Sequence, residues 1–268
     1  MEYFVPANSV VRTIWGKADT VLFIFAGAAA EFALNKAVDW LYFTGRLPAD
    51  PLGRLFSTVE YARQIVFAER EGAERAIAGI AAIHAAVEAK RGAAIPDWAY
   101  RDVLYMLIDY SIRAFELLER PLTAGEKEQV FTVFWRVGQG LGIPDLPLCY
   151  TDWLPEREQR LKADLEYSRF TADLYQQYRR HLGLVRYQLL RRVQALVVPQ
   201  RVRHMLNLQT GNWLRPVLAT YCRTRHLALS QWARALLLPE AYRAQIAGLD
   251  IEPKPVLTRP AHTANALQ

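Results

Sequence analysis

Apolar residues recur at spacings of three and four along almost the whole chain, and no stretch of clean apolar/polar alternation interrupts them. That is the period of helices packed on one another rather than of strands. The pattern predicts an all-α protein: one helical domain over residues 1–250, then an extended or disordered tail over 251–268. Residues 1–16 read as an irregular lead-in. A long helix is expected from about Ala18 to Phe43, followed by a turn at Gly45-Arg46-Leu47-Pro48. Leu52 to Phe67 reads as the next helix, with Leu55, Val59, Ala62 and Val66 on one face. An Ala- and Glu-rich helix then runs from Glu71 to near Gly92. Pro96 opens a helix reaching about Glu119, and Thr123-Ala-Gly-Glu126 is a capping-box pattern starting another. Gly138, Gly140 and Gly142 end that one before an ordered-looking loop from Ile143 to Trp153. Further helices are expected from about Pro155 and over Thr171–Val197, Pro199–Leu208, Trp213–Thr224 and Leu229–Leu237.

One polar residue breaks the pattern where it matters. Ile77, Ile80, His84 and Val87 share a helix face, so His84 points inward among aliphatic side chains. A neutral imidazole facing an apolar cavity suits an axial iron ligand, because burial keeps the nitrogen lone pair free. The plainer reading of the same helix is a core histidine bonded to a carbonyl. One helix earlier, Arg54 and Thr58 lie a turn apart and can address the same object.

Composition narrows the classes. With 268 residues and 52% hydrophobic content, the chain can bury a large single core. Cys149 and Cys222 lack metal-ligand spacing, which argues against a zinc site or disulfide framework and fits a reducing compartment. With no evident signal peptide, a cytoplasmic protein is expected. Thr20–Leu34 is the nearest thing to a membrane span, but it falls short of roughly 20 apolar residues and contains Glu31. It reads as a buried core helix, whose Ala26-Gly27-Ala28-Ala29-Ala30 run lets another helix or a flat cofactor approach closely.

The net charge of +6 is unevenly placed. Between Leu174 and Pro239 there are 11 arginines, no lysine and no acidic residue. Such a block attracts anions: phosphates, lipid head groups, acidic partners or cofactor propionates. Arg179, Arg186 and Arg215 are expected on outward faces, with Leu182, Leu189, Val193 and Leu196 inward. Leu- and Val-rich amphipathic helices argue against nucleic acid and for peripheral contact with a membrane surface. His204, with Arg201 and Arg203, is a candidate head-group site, and His181 and His226 read as surface or interface residues. No GxGxxG, P-loop, GxSxG or HExxH occurs, so nucleotide, acyl-transfer and zincin readings lack their signatures.

Four segments, in order, carry a resemblance. They are Asp50-Pro51-Leu-Gly-Arg54-Leu55-Phe-Ser-Thr58; Ile83-His84-Ala-Ala-Val87; Gly138-Gln-Gly-Leu141-Gly142-Ile-Pro144 through Trp153; and Leu238-Pro239-Glu-Ala-Tyr-Arg243. Together, over about residues 15–250, the chain resembles the haem-dependent oxygenases that include the rubber-cleaving latex clearing proteins and the MpaB-type oxygenases of fungal mycophenolate biosynthesis. The resemblance implies a globin-like helical fold holding haem b, with His84 as the proximal iron ligand. It places Arg54 and Thr58 in the haem pocket, as cofactor-binding and catalytic groups. It also implies dioxygen and a small hydrophobic, alkene-bearing substrate of isoprenoid type, since family reactions cleave such double bonds oxidatively. A haem carrier or sensor without turnover is the related alternative. The chain departs from the family at Ser57, where rubber-cleaving members resemble one another in carrying lysine, and it lacks their early Q-x-x-x-P element. Glu31 and Asp39 are the candidates for a distal base.

Overall fold

The computed structural model describes residues 2–45, 49–209, 211 and 214–224, with the side chains of Leu55 and Arg215 excepted. Among these residues the chain is all-α. Its helices are α1 (Val10–Trp15), α2 (Ala18–Phe32), α3 (Val38–Phe43), α4 (Pro51–Phe67), α5 (Arg70–Arg91), α6 (Asp97–Leu118), α7 (Ala124–Gly140), α8 (Tyr150–Ala163), α9 (Arg169–Val197), α10 (Gln200–Met205) and α11 (Leu214–Thr224). The turn over Arg46–Pro48, the helix expected at Leu229–Leu237, the Leu238–Arg243 segment, His226 and the tail lie outside the described residues.

Local chemistry sets most of the boundaries. Asp50 caps α4 by accepting from Gly53 N at 2.8 Å, with Pro51 in the first turn. Gly92 closes α5 in the left-handed region at φ 69°, a conformation that costs glycine nothing. Thr123 and Glu126 cap α7 reciprocally, as the sequence pattern predicts. The lead-in is not irregular throughout: Ser9 caps the short helix α1, and Arg12 is buried there, donating to Val5 O at 3.0 Å.

The apolar helix α2 is the centre of the fold, packed between α6 and α9. Gly27 makes this possible. A Cβ there would overlap the Tyr110 ring and reach Val197 at 3.0 Å, so the small-residue run admits neighbouring helices. No helix among the described residues is long and apolar enough to cross a membrane. Around this centre lies a continuous core that includes Trp15, Ile24, Tyr105, Phe131 and Trp153. A smaller, separate cluster of Ala33, Val38, Leu52, Leu174, Tyr178 and Leu182 joins α3, the start of α4 and the first half of α9.

The expected long helix over Ala18–Phe43 is broken. Asn35 accepts from Ala37 N at 2.8 Å and donates Nδ2 to Asp102 at 2.6 Å. Its neighbours pair with a distant strand-like segment, Lys36 N to Asp164 O at 3.0 Å and Glu166 N to Leu34 O at 2.8 Å. Two further boundaries also differ. Helix α8 begins at Tyr150 and carries Pro155 inside it, and α9 is kinked at Gly183 (φ 71°, ψ 173°). On α9, Leu182 is buried and Arg179 exposed, as expected, whereas Arg186, Leu189, Val193 and Leu196 are all half-buried.

Asp102 gives this joint a pH dependence. Burial pushes its carboxyl up to about 7 from an ordinary 3.8, against the opposing hydrogen bond from Asn35. A carboxyl raised on folding holds its proton in the native state between those two values while the unfolded chain has lost it. Stability therefore falls as pH rises from about 4 to about 7, by up to about 1.4 kcal/mol per pH unit, and levels off above that. Asp102→Asn keeps an acceptor for Asn35 and removes the ionisation. Urea unfolding at pH 8 is expected to show the variant more stable by on the order of 1–3 kcal/mol, with the gap gone near pH 4. An unchanged gap across that range would contradict the assignment.

Candidate functional site

Helices α4 and α5 form an antiparallel pair joined by a tight connection at Ala68-Glu69. The pair carries the three residues singled out by sequence, two on α4 and one on α5. On α4, Arg54 Nη1 donates to Thr58 Oγ1 at 3.1 Å, and the Thr58 hydroxyl donates to Arg54 O at 3.1 Å. Across the pair, on α5, His84 is half-buried. Burial lowers its pKa from 6.5, and the Arg54 charge adds to the effect, opposed by Glu88 one turn further on. The imidazole is thus held neutral by its surroundings. Among the described residues neither ring nitrogen has a hydrogen-bond partner; the contact of the ring is with Tyr100.

The surroundings are more open and more polar than an aliphatic cavity. Ile77 is buried, Ile80 and Val87 are half-buried, and Ile83 is exposed. The His84 ring packs at 5.1 Å, centroid to centroid, on Tyr100 at the start of α6. Tyr100 donates its hydroxyl to Glu88 Oε1 at 3.1 Å, and the same oxygen accepts from Ile95 N at 2.8 Å. Burial and the adjacent carboxylate raise the Tyr100 hydroxyl well above its usual range. Sequence reasoning missed this Glu88–Tyr100 brace. Its one local signal was Glu88, four residues from His84.

The other candidates separate from this group. Ser57 donates to Gly53 O at 2.7 Å and stays on its own helix. Asp39 accepts from Arg91 Nη2 at 2.8 Å at the far end of α5, and Arg91 stacks over Trp40 at 3.8 Å. Glu31 is neither a surface nor a capping group. It is 1% exposed and forms a bidentate pair with Arg157, both bonds 2.6 Å. Tyr110 donates to Glu31 at 2.8 Å, and Arg157 also reaches Asp109 at 3.0 Å. Every carboxylate oxygen of Glu31 is therefore committed inside the core. His181 and His204 are exposed. Among the described residues no group of three or more His, Cys, Asp or Glu gathers as a protein-only metal cage.

The donor set at α4/α5 suits a haem rather than such a cage. One neutral imidazole offers open nitrogens, a guanidinium stands beside it for an anionic substituent, and a hydroxyl lies a turn away. The family model for the catalytic domain of ER-bound oxygenase mpaB/B' and rubber oxygenase matches residues 14–246, and the chain belongs to that family. A comparison with curated proteins finds no match.

Proposed function

We propose that this member of the oxygenase family binds haem b through His84 and uses dioxygen to oxidise, and cleave, an alkene bond in a small hydrophobic substrate of isoprenoid type. The observation that supports the reading is the α4/α5 pair, with Arg54 bonded to Thr58 on one helix and, on the other, an imidazole whose pKa is lowered by burial and by the Arg54 charge. When bound, haem iron supplies the activation of dioxygen that no side chain of this protein provides. The protein's own groups do the rest. His84 offers a lone pair rather than a proton, because burial and Arg54 disfavour the imidazolium. Arg54 is always charged and can pair with a propionate or orient a polar oxygen. Thr58 holds Arg54 in place and has one hydroxyl proton to offer once released from Arg54 O. The Glu88–Tyr100 brace fixes the ring face against which His84 turns.

The test is dioxygen uptake with polyprenyl or terpenoid alkenes by protein purified after haem supplementation, with carbonyl products measured alongside. The wild type is expected to consume dioxygen only when an alkene is present. Arg54→Ala is expected to lower uptake by about tenfold or more, equivalent to about 1.4 kcal/mol or more of lost transition-state stabilisation. A Soret band without substrate-dependent uptake would make the protein a haem carrier or sensor instead.

A further inference from the structure

A second candidate site is built from residues the oxygenase reading does not use. A cleft of about 560 Å³ opens beside α10, lined by Gln200, Arg203, His204, Asn207, Leu208 and Gln209. None of these is acidic, and the cleft lies within the acid-free stretch that begins at Leu174. Its wall is held by arginines from α9. Arg191 Nη2 donates to Leu206 O at 3.2 Å and Asn207 O at 3.0 Å, and Arg192 Nη1 donates to Gln209 O at 3.3 Å. Arg201 donates to Lys162 O at 3.2 Å, which brings the end of α8 to the same region. The arginines that shape the lining thus also place positive charge behind it.

Asn207 turns the chain after α10 in the left-handed region (φ 48°), a conformation asparagine tolerates better than most residues, and it lines the cleft from that turn. Arg203 is the telling residue. Its Nε is buried and has no hydrogen-bond partner among the described residues. That nitrogen is enclosed, whereas the residue as a whole is half-buried and lines the cleft, so an anion seated there would meet the rest of the guanidinium fork. His204 and the amides of Gln200, Asn207 and Gln209 add further donors around the same space.

We infer that this cleft binds a phosphate group carried by a larger molecule. A terminal phosphate presents three acceptor oxygens to a lining rich in N–H donors, and the planar fork of an arginine suits it better than a point charge would. The volume exceeds what a bare phosphate fills, and Leu208 offers an apolar wall to the rest of the ligand. The same chemistry is found on a free phosphate monoester and on a lipid head group, so the source is decided by experiment.

Binding of the full chain would be measured against glycerol 3-phosphate in solution, and against phosphatidylcholine vesicles with and without phosphatidic acid. Three variants are compared: Arg203→Gln, His204→Gln, and Arg179→Gln as a control of equal charge change on an exposed part of α9. The expected result is binding to one or both probes, lost about tenfold in Arg203→Gln, weakened in the exposed His204→Gln, and unchanged in Arg179→Gln. Binding in solution identifies a free monoester, and binding only to phosphatidic acid vesicles identifies a head group. Equal losses in Arg203→Gln and Arg179→Gln would reduce the effect to diffuse charge and overturn the site, as would no binding to either probe. His204→Gln keeps the test open should Arg203→Gln fail to fold.

Discussion

His84→Ala is expected to abolish the Soret band of protein purified after haem supplementation while leaving the helical circular dichroism of the wild type intact. The two halves of that result have separate causes. The imidazole is the neutral nitrogen donor of the α4/α5 pair, and removing it leaves Arg54 and Thr58, whose guanidinium and hydroxyl are not iron ligands. The helix itself loses little, because His84 is half-buried and alanine is the best helix former. Free imidazole added to the variant is expected to restore part of the band by filling the vacated place. A Soret band of wild-type shape and intensity in His84→Ala would assign the ligand elsewhere. Its absence from both proteins would remove haem from the account and leave the phosphate-binding cleft as the functional feature to pursue.

The largest effect on stability is expected at Arg157. This residue is 5% exposed and answers two carboxylates, Glu31 through both oxygens and Asp109 at 3.0 and 3.2 Å. The paired carboxylates hold its guanidinium protonated even more firmly than usual, despite burial working the other way. Arg157→Met strands both acids in the core, with Arg113 left on Asp109 at 2.7 Å and only the Tyr110 hydroxyl on Glu31. Removing one partner of such a cluster costs about 3–5 kcal/mol, a large share of the roughly 5–15 kcal/mol that holds a domain folded. Urea or thermal unfolding is expected to show that loss, or the variant fails to accumulate as soluble protein. Adding Glu31→Gln and Asp109→Asn to Arg157→Met is expected to recover much of it, since neutral amides do not demand a counter-charge. A cost under about 1 kcal/mol for the single change would mean that water reaches the cluster.

That cluster also marks what the sequence could and could not convey. Helix periodicity and caps were legible locally: Thr123/Glu126 and Gly92 mark ends within a few residues of where they act. The pairing of Arg54 and Thr58 is legible for the same reason, being one turn of one helix. Their nearness to His84 follows from the short connection between two consecutive helices. Glu31 offered no such signal, because its partners sit on α6 and α8, far along the chain, and an isolated glutamate in an apolar helix resembles a capping or surface group. The break between α2 and α3 was hidden likewise. Asn35 ends the helix through Asp102 and the backbone around Leu165, neither of which is a neighbour in sequence. The Glu88–Tyr100 brace lay between these extremes, its carboxylate visible at helix spacing and its tyrosine arriving only once α6 folds back.

The small cluster of Ala33, Val38, Leu52, Leu174, Tyr178 and Leu182 has a consequence for motion. Free energies of local opening follow the apolar area buried, so a six-residue cluster opens more readily than the continuous core around α2. Amide hydrogens of α3 and of α9 before Gly183 are therefore expected to exchange together and ahead of those of α2 and α6. Gly183 kinks α9 just after Leu182, the last fully buried member of the cluster, with Tyr187 and Leu190 packing against it from beyond the kink. Leu52 belongs to this unit and lies two residues from Arg54, so each such opening loosens the first turn of α4.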